Sequence, residues 1–204
     1  MPLWGATDAN EAKPKNLTTT EKKEVFANNN GWAREAGSIW SGNGNTAADP
    51  EILVAISGLA DAIGAADVTE VEWITTTADK SAGFTLSLRV RYNEAVTVTG
   101  SPTIAVTNGN QGSGSGRGPH TLVYASGTGT NELVFSLAIA AANAATNADD
   151  VLVVGAQNIL KPGGATMKDT ADGTTASAVA VSADQGTACA VSYTHLTLPT
   201  KRIV

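Results

Sequence analysis

One short stretch of this chain, FTLSLRVRY, constrains its fold more than any other. Apolar side chains occupy every second position from Phe84 to Tyr92, and Thr, Ser and Arg side chains occupy the positions between them. Successive side chains of a β-strand point to opposite faces. The alternation therefore predicts a strand with one face in a core and the other in water.

Other apolar runs follow at short intervals, separated by clusters of Gly, Asn, Ser, Asp and Pro. Because only 5% of the residues are aromatic and 21 are glycines, the core must consist of Val, Leu, Ile and Ala packed between many turns. Strands at this spacing predict an all-β fold, an antiparallel β-sandwich of about seven strands. The other candidate strands are VTEVEWIT, AVTVTG, PTIAVTN, HTLVYAS, ELVFSLAI, DVLVVGA and SAVAVSA.

Charge and cysteine content narrow the possible partners. The net charge of -6 opposes the approach of a phosphate backbone, so no nucleic acid partner is expected. The single cysteine excludes an internal disulfide, and with two histidines it cannot complete an all-His/Cys zinc site. The chain shows neither a signal peptide nor a run of about eighteen apolar residues. We therefore expect no membrane partner, no cofactor and no metal.

Residues 1–66 differ from the rest in composition. The first fifty residues are largely polar, yet they contain three of the four tryptophans, Trp4, Trp32 and Trp40. A tryptophan buries on the order of 150 to 250 Å², so we expect these side chains to anchor an extended, partly helical N-terminal arm. The arm would dock on its own domain or on a neighbouring subunit. In the alternative interpretation, Trp32 and Trp40 cap the core of their own domain.

Two segments of the arm carry local structural signals. Thr18 and Glu21 have the spacing of a capping box, which predicts about two helical turns over EKKEVFAN. The run EILVAISGLADAIGAAD, which begins at Glu51, predicts a buried strand followed by helix or loop.

Three longer segments resemble a known module. RYNEAVTVTGSPTIAV, YASGTGTNELVFSLAI and ILKPGGATMKDTADGTTA are similar to consecutive pieces of the bacterial and phage Ig-like repeat, which is found in large surface and virion proteins. The resemblance covers residues 67–187. It implies an Ig-like β-sandwich over 67–190, with a Gly-Gly…Lys-Asp turn before the last strand.

The opening sequence has a separate resemblance. MPLWGATDANEAKPKNLTTTEKKEVFANNNGW resembles the start of small virion structural proteins from tailed phages of marine cyanobacteria and related hosts, through MPLWG, KPK and the later GW. This implies localisation in a virion.

Residues 191–204 change character abruptly from the Ala/Gly/Thr-rich sequence before them. Back-translated, the run from Val191 to Thr200 resembles a transposon-end adapter used in sequencing libraries. We therefore interpret 191–204 as a non-native tail of a metagenomic fragment, whose natural C-terminus is unknown.

Several candidate sites have a plainer interpretation. The glycine-rich run Gly112–Gly118 suggests a phosphate cradle, but no Lys-Ser/Thr follows it, which favours a hairpin loop. Glu70 and Glu72 resemble a glycosidase acid/base pair, yet without a cleft the solvated face of a strand is favoured. Four aspartates offer oxygens of the kind that calcium prefers, but without EF-hand spacing turn aspartates are favoured. These are Asp149, Asp150, Asp169 and Asp172.

The remaining polar candidates are expected to be structural. Arg89 and Arg91, with Glu94 nearby, should lie on the outer sheet face and pair with carboxylates across the strands. His120 or Cys189 would act in nucleophilic catalysis only with a third orienting group. A surface or cross-strand histidine is the favoured interpretation.

Together these features predict a structural protein of a tailed-phage virion, in the capsid, neck or tail or as a decoration protein, and not an enzyme. Tryptophans of the arm would bind other virion subunits or a second copy of the chain, and the outward Ig-like loops would contact a cell surface or glycan. One alternative is a fragment of a bacterial surface adhesin with Ig-like repeats. Another is a glycan-active enzyme that uses Glu70 and Glu72.

Overall fold

The computed structural model describes residues 13–76, 78, 82–108, 119–141, 151–187 and 190–192. Within these residues the fold is all-β, with thirteen strands and three short helices. The helices are α1 (Thr19–Lys22), α2 (Leu59–Ala62) and α3 (Ala183–Thr187). The strands are β1 (Val25–Asn28), β2 (Gly31–Arg34), β3 (Glu51–Ala55), β4 (Val68–Trp73), β5 (Phe84–Thr99), β6 (Thr103–Asn108), β7 (His120–Ser126), β8 (Thr130–Ile139), β9 (Val151–Val153), β10 (Gln157–Asn158), β11 (Thr166–Asp169), β12 (Ala180–Val181) and β13 (Ala190–Ser192).

Strand β5 organises the sheet. It pairs antiparallel with β4, β8 and β11, and it makes a parallel contact with β1 at the pair Ala27 and Glu94. The pairing of β5 with β8 is interrupted between Arg91 and Val96. Such a bulge bends the strand and increases its twist. Residues 84–92 of β5 pair with β4 and β8, and residues 96–99 pair with β11, with one further pair to β8 at Val96.

The main core lies on one face of β5, as the alternation predicts. Leu86, Leu88, Val90 and Tyr92 are fully buried, and Phe84 packs against the same core. The remaining members are mainly aliphatic, with Phe135 and Met167 among them. The Tyr92 hydroxyl donates a hydrogen bond to the Ala178 carbonyl oxygen, 3.1 Å away, which satisfies its polar end. The interior is thus consistent with the predicted sandwich of aliphatic side chains.

Most predicted strands are confirmed, with two differences. AVTVTG is not a separate strand but the second half of β5, and the predicted turn before the last strand contains β11. The predicted tail also begins inside a strand, because Val191 and Ser192 of β13 pair with β9.

The predicted arm is part of the sheet from Val25 to Ala55. Strands β1 and β2 form an antiparallel hairpin that joins β5, and β3 pairs with β2 at the far edge. The turn of the hairpin is fixed by Asn28, whose side-chain oxygen accepts hydrogen bonds from the backbone N–H groups of Asn30 and Gly31. Of the two docking alternatives, the structure shows docking on the chain's own domain for this segment.

The two local predictions for the arm need correction. The capping box is present, because the Thr18 hydroxyl accepts from the Glu21 N–H and the Glu21 side chain accepts from the Thr18 N–H. The helix ends after a single turn, however, and VFAN forms β1. Pairing with β2 and burial of Val25 outweigh the helical signal, which is marginal in so short a segment. Strand β3 exists as predicted but is half exposed, because it lies at an edge.

A second, smaller core lies under the hairpin. It contains Val25, Ala27, Trp32 and Leu59, and Trp32 is fully buried. Trp32 therefore contributes to the stability of this chain and does not reach a partner. This position agrees with the alternative interpretation, in which Trp32 packs in the core of its own domain.

We predict that Trp32→Ala destabilises the fold by about 3–5 kcal/mol, since it removes a buried aromatic side chain and leaves a cavity. Urea denaturation followed by far-ultraviolet circular dichroism measures the change. Trp40→Ala is the matched control, because Trp40 is 44% exposed, and it should change stability by less than about 1 kcal/mol. Equal losses for the two variants would contradict the separate small core.

Candidate functional site

The loop between β2 and β3 presents two apolar side chains to solvent. Ile39 is 81% exposed and Trp40 is 44% exposed, and they are neighbours in sequence. Exposed isoleucine and tryptophan side chains on one loop are typical of a protein contact surface. We call Ile39 and Trp40 the apolar tip.

Hydrogen bonds within the loop hold the apolar tip in place. The Arg34 guanidinium, which is almost fully buried, donates from Nη1 to the Trp40 carbonyl oxygen at 2.8 Å. The Gly37 N–H donates to the Asn43 carbonyl oxygen at 2.7 Å, and the Trp40 N–H donates to the Ser38 hydroxyl oxygen. A loop that is already ordered loses less conformational entropy when it binds.

The three predicted anchor tryptophans therefore have different positions. Trp40 lies in the apolar tip and is accessible, so its role as an anchor stays a prediction. Trp32 is buried in the small core. Trp4 lies outside the described residues.

A network of ion pairs covers the other face of β5. Arg91 contacts Glu70 at 2.7 Å, Glu132 at 2.8 Å and Glu72 at 3.1 Å, and Arg89 contacts Glu132 at 3.0 Å. Burial alone would lower the pKa of Arg91. Hydrogen bonds and charge from these carboxylates raise it instead.

The network confirms the predicted cross-strand pairing of Arg89 and Arg91 but corrects their surroundings. Arg91 is only 8% exposed, so the face is covered at this position, whereas Thr85 on the same face is exposed as predicted. Glu70 and Glu72 are both engaged by Arg91. Their arrangement is that of an ion-pair network.

A second feature is a cleft of about 340 Å³ between the β1–β2 hairpin and the ends of β8 and β11. Four of its polar lining residues are Glu35, Glu94, Asn131 and Asp169. The last three are almost fully buried. Apolar walls are provided by Phe26, Ala27, Pro50, Ala60, Ala95 and Ala171.

Glu94 is the unusual residue of this cleft. Its side chain is 0% exposed, and neither carboxylate oxygen has a hydrogen-bond partner among the described residues. Burial, together with the charges of Asp169, Asp67 and Asp172, raises the pKa of Glu94 to about 8 from its usual 4.5. Burial likewise raises the pKa of Asp169, and Asp172 adds to this effect.

The position of Glu94 corrects the prediction that it lies on the outer sheet face. Glu94 is two residues beyond Tyr92, so the alternation of the strand directs it to the inner side. Asp169 pairs with Val96, which is two residues further along β5. The carboxylates of Glu94 and Asp169 therefore lie on one side of the sheet as diagonal neighbours. Continuing the alternation past Tyr92 would have predicted this burial from the sequence.

The other candidate residues have structural positions or are not described. Asp172 fixes a turn, since its carboxylate accepts hydrogen bonds from the Thr175 hydroxyl and from the backbone N–H groups of Thr175 and Thr174. These bonds lower its pKa to about 2. His120 is buried in β7 opposite Val106, so it is a cross-strand and not a surface histidine. Asp149, Asp150, Cys189 and the glycine-rich run lie outside the described residues.

Neither a metal-binding cluster nor a membrane-spanning helix occurs among the described residues. No three Asp, Glu, His or Cys side chains of the described residues converge on one point as metal ligands would. In the same part of the chain, no helix has the length and apolar character needed to cross a bilayer. Comparison of the chain with protein families, with curated proteins and with solved structures gave no match.

We predict that Glu94→Gln stabilises the fold above about pH 8. Because the folded state raises the pKa of Glu94 to about 8, its contribution to stability is complete below about pH 4.5 and is lost as the pH rises through about 8. Glutamine stays neutral throughout. The variant should gain at least about 1 kcal/mol over the wild type at about pH 9 and much less at about pH 5.

Urea denaturation at these two pH values measures the difference. Glu51→Gln is the matched control, since Glu51 is an exposed residue at the start of β3, and it should show no such gain. A Glu94→Gln variant that is less stable than the wild type at about pH 9 would contradict the assignment of a buried carboxyl that lacks a partner when it ionises.

Proposed function

We propose that this protein is a structural component of a tailed-phage virion that acts by binding other proteins. The observation that carries the proposal is the apolar tip. Two large apolar side chains stand in solvent on a loop whose backbone is held by Arg34 and by internal hydrogen bonds. Water-exposed apolar groups on an ordered loop gain free energy when a partner covers them.

The virion assignment rests on the resemblances of the opening sequence and of residues 67–187. The protein would belong to the capsid, neck or tail or act as a decoration protein, and its proposed partners are other virion subunits or a second copy of the chain. The Ig-like part would face outward and contact the host surface or a glycan. In this proposal the protein acts by binding and not by catalysis. Glu70 and Glu72 then have a structural role in the ion-pair network of β5.

The proposal predicts that the protein is found in purified phage particles at a fixed copy number, measured by quantitative mass spectrometry. A double variant, Ile39→Ser with Trp40→Ala, should lower its occupancy, because truncation of a central aromatic contact costs at least about 2 kcal/mol, or roughly thirtyfold in affinity. Leu160→Ser is the matched control, since Leu160 is also exposed, at 63%, but lies in a different part of the chain.

Full occupancy with the double variant would contradict binding through the apolar tip. Recovery of the protein only from the surface of bacterial cells, and never from particles, would contradict the virion and favour the adhesin. The neighbouring genes on the source DNA provide an independent check: capsid, neck or tail genes are expected there.

A further inference from the structure

The cleft under the hairpin contains a buried acid that nothing in the described chain uses. Both carboxylate oxygens of Glu94 are buried and lack a hydrogen-bond partner among the described residues. A buried polar group without a partner costs stability. Gln or an apolar side chain at this position would avoid the cost of ionisation. An acid here is explained if a ligand supplies the missing partner.

The charges that face Glu94 are all negative. Asp169 of β11 and Glu35, which follows β2, line the same cleft. Asp67, before β4, and Asp172, in the turn after β11, act on Glu94 through their charges, and Asp61 of α2 acts on Asp169. Among the residues that the structure describes, no Lys or Arg lines the cleft. Such a field attracts a positive charge and repels a negative one.

The shape and lining of the cleft favour an organic cation over a metal ion. A calcium ion needs six to eight oxygen ligands at about 2.4 Å, and no three acidic side chains of the described residues converge in that way. The walls are largely aliphatic and aromatic, as the side chains of Phe26, Ala60 and Ala171 illustrate. A cleft with apolar sides and acidic groups at its base fits a side chain that has an apolar methylene chain and a charged end group. Lysine and arginine are such side chains.

We propose that this cleft binds the basic side chain, lysine or arginine, of a partner protein, with Glu94 and Asp169 as the acceptors for its charged head. This inference rests on the proposed function, because it names the chemistry of the partner. Glu35 borders the cleft and also borders the surface that contains Ile39 of the apolar tip. One partner can therefore cover the apolar tip and insert a basic side chain beside it.

The test is a titration of the ¹⁵N-labelled full chain with Nα-acetyl-lysine methylamide, followed by amide chemical shifts. We expect saturable shifts at Glu94, Asn131 and Thr170, with a dissociation constant on the order of 1 mM. Because the cation binds the ionised form of Glu94, affinity should rise at least about tenfold between about pH 6 and about pH 8. The norleucine analogue has the same stem without the charge and should not bind.

Two variants separate the site from general effects. Glu94→Gln should abolish binding while the amide spectrum stays folded, and Glu51→Gln should leave binding unchanged. Ala171→Leu narrows the cleft without changing any charge, and it should weaken binding at least about fivefold. This second variant keeps the test decisive if Glu94→Gln fails to fold.

Four results would overturn the proposal. They are no saturable binding of the lysine probe, equal binding of the norleucine analogue, binding of calcium chloride in place of the lysine probe, and binding of putrescine at least about tenfold tighter than the lysine probe, which would indicate a soluble polyamine. The outcome is independent of particle assembly. If the lysine probe binds and the double variant of Ile39 and Trp40 keeps full occupancy in particles, the cleft proposal stands and the proposed function is rejected.

Discussion

The pairing of strand β5 with four other strands is the interaction on which the rest of the structure depends. Strand β5 has sixteen residues, which is longer than the usual range of about three to ten. A bend allows its two halves to pair with different strands. The irregularity between Arg91 and Val96 provides that bend. The ion-pair network lies before this bend and β11 and the acidic cleft lie after it, while the aliphatic core continues across it through Val96 and Met167.

Strand alternation accounts for the opposite surroundings of two charged residues, Arg91 and Glu94, which are three positions apart and so lie on opposite faces of β5. Arg91 forms ion pairs with Glu70, Glu72 and Glu132, so three carboxylates compensate its charge. Glu94 is also buried, but its neighbours repel it. A buried charge with several partners is tolerated, whereas a buried charge with none is driven to its neutral form. The ion pairs of Arg91 stabilise the fold. The buried carboxyl of Glu94 would gain a partner only from a bound ligand.

Much of the fold could be predicted from the sequence, and each feature that was not predicted has a physical reason. Strict alternation located β5 and its buried face, because period-two patterning is a local property. The hairpin of β1 and β2 was missed, since VFAN follows a genuine capping box and its strand state depends on pairing with distant residues. The buried state of Trp32 was one of two open interpretations, because the choice between them also depends on packing against distant residues. The cleft was not predicted because its lining comes from segments far apart in sequence, although the inward position of Glu94 followed from the pattern that identified β5.

Strand β3 has a further consequence for how copies of this protein can meet. It lies at the end of the sheet path within the described residues, where an open row of backbone N–H and C=O groups invites another strand. Yet β3 is only five residues long, begins with Glu51, and joins β2 through an irregular register. Short length, charge and irregularity are the devices that discourage main-chain pairing at a sheet edge. Self-association by strand addition is therefore disfavoured at β3. Contacts between copies at this edge would have to be made by side chains, whose identities depend on the sequence.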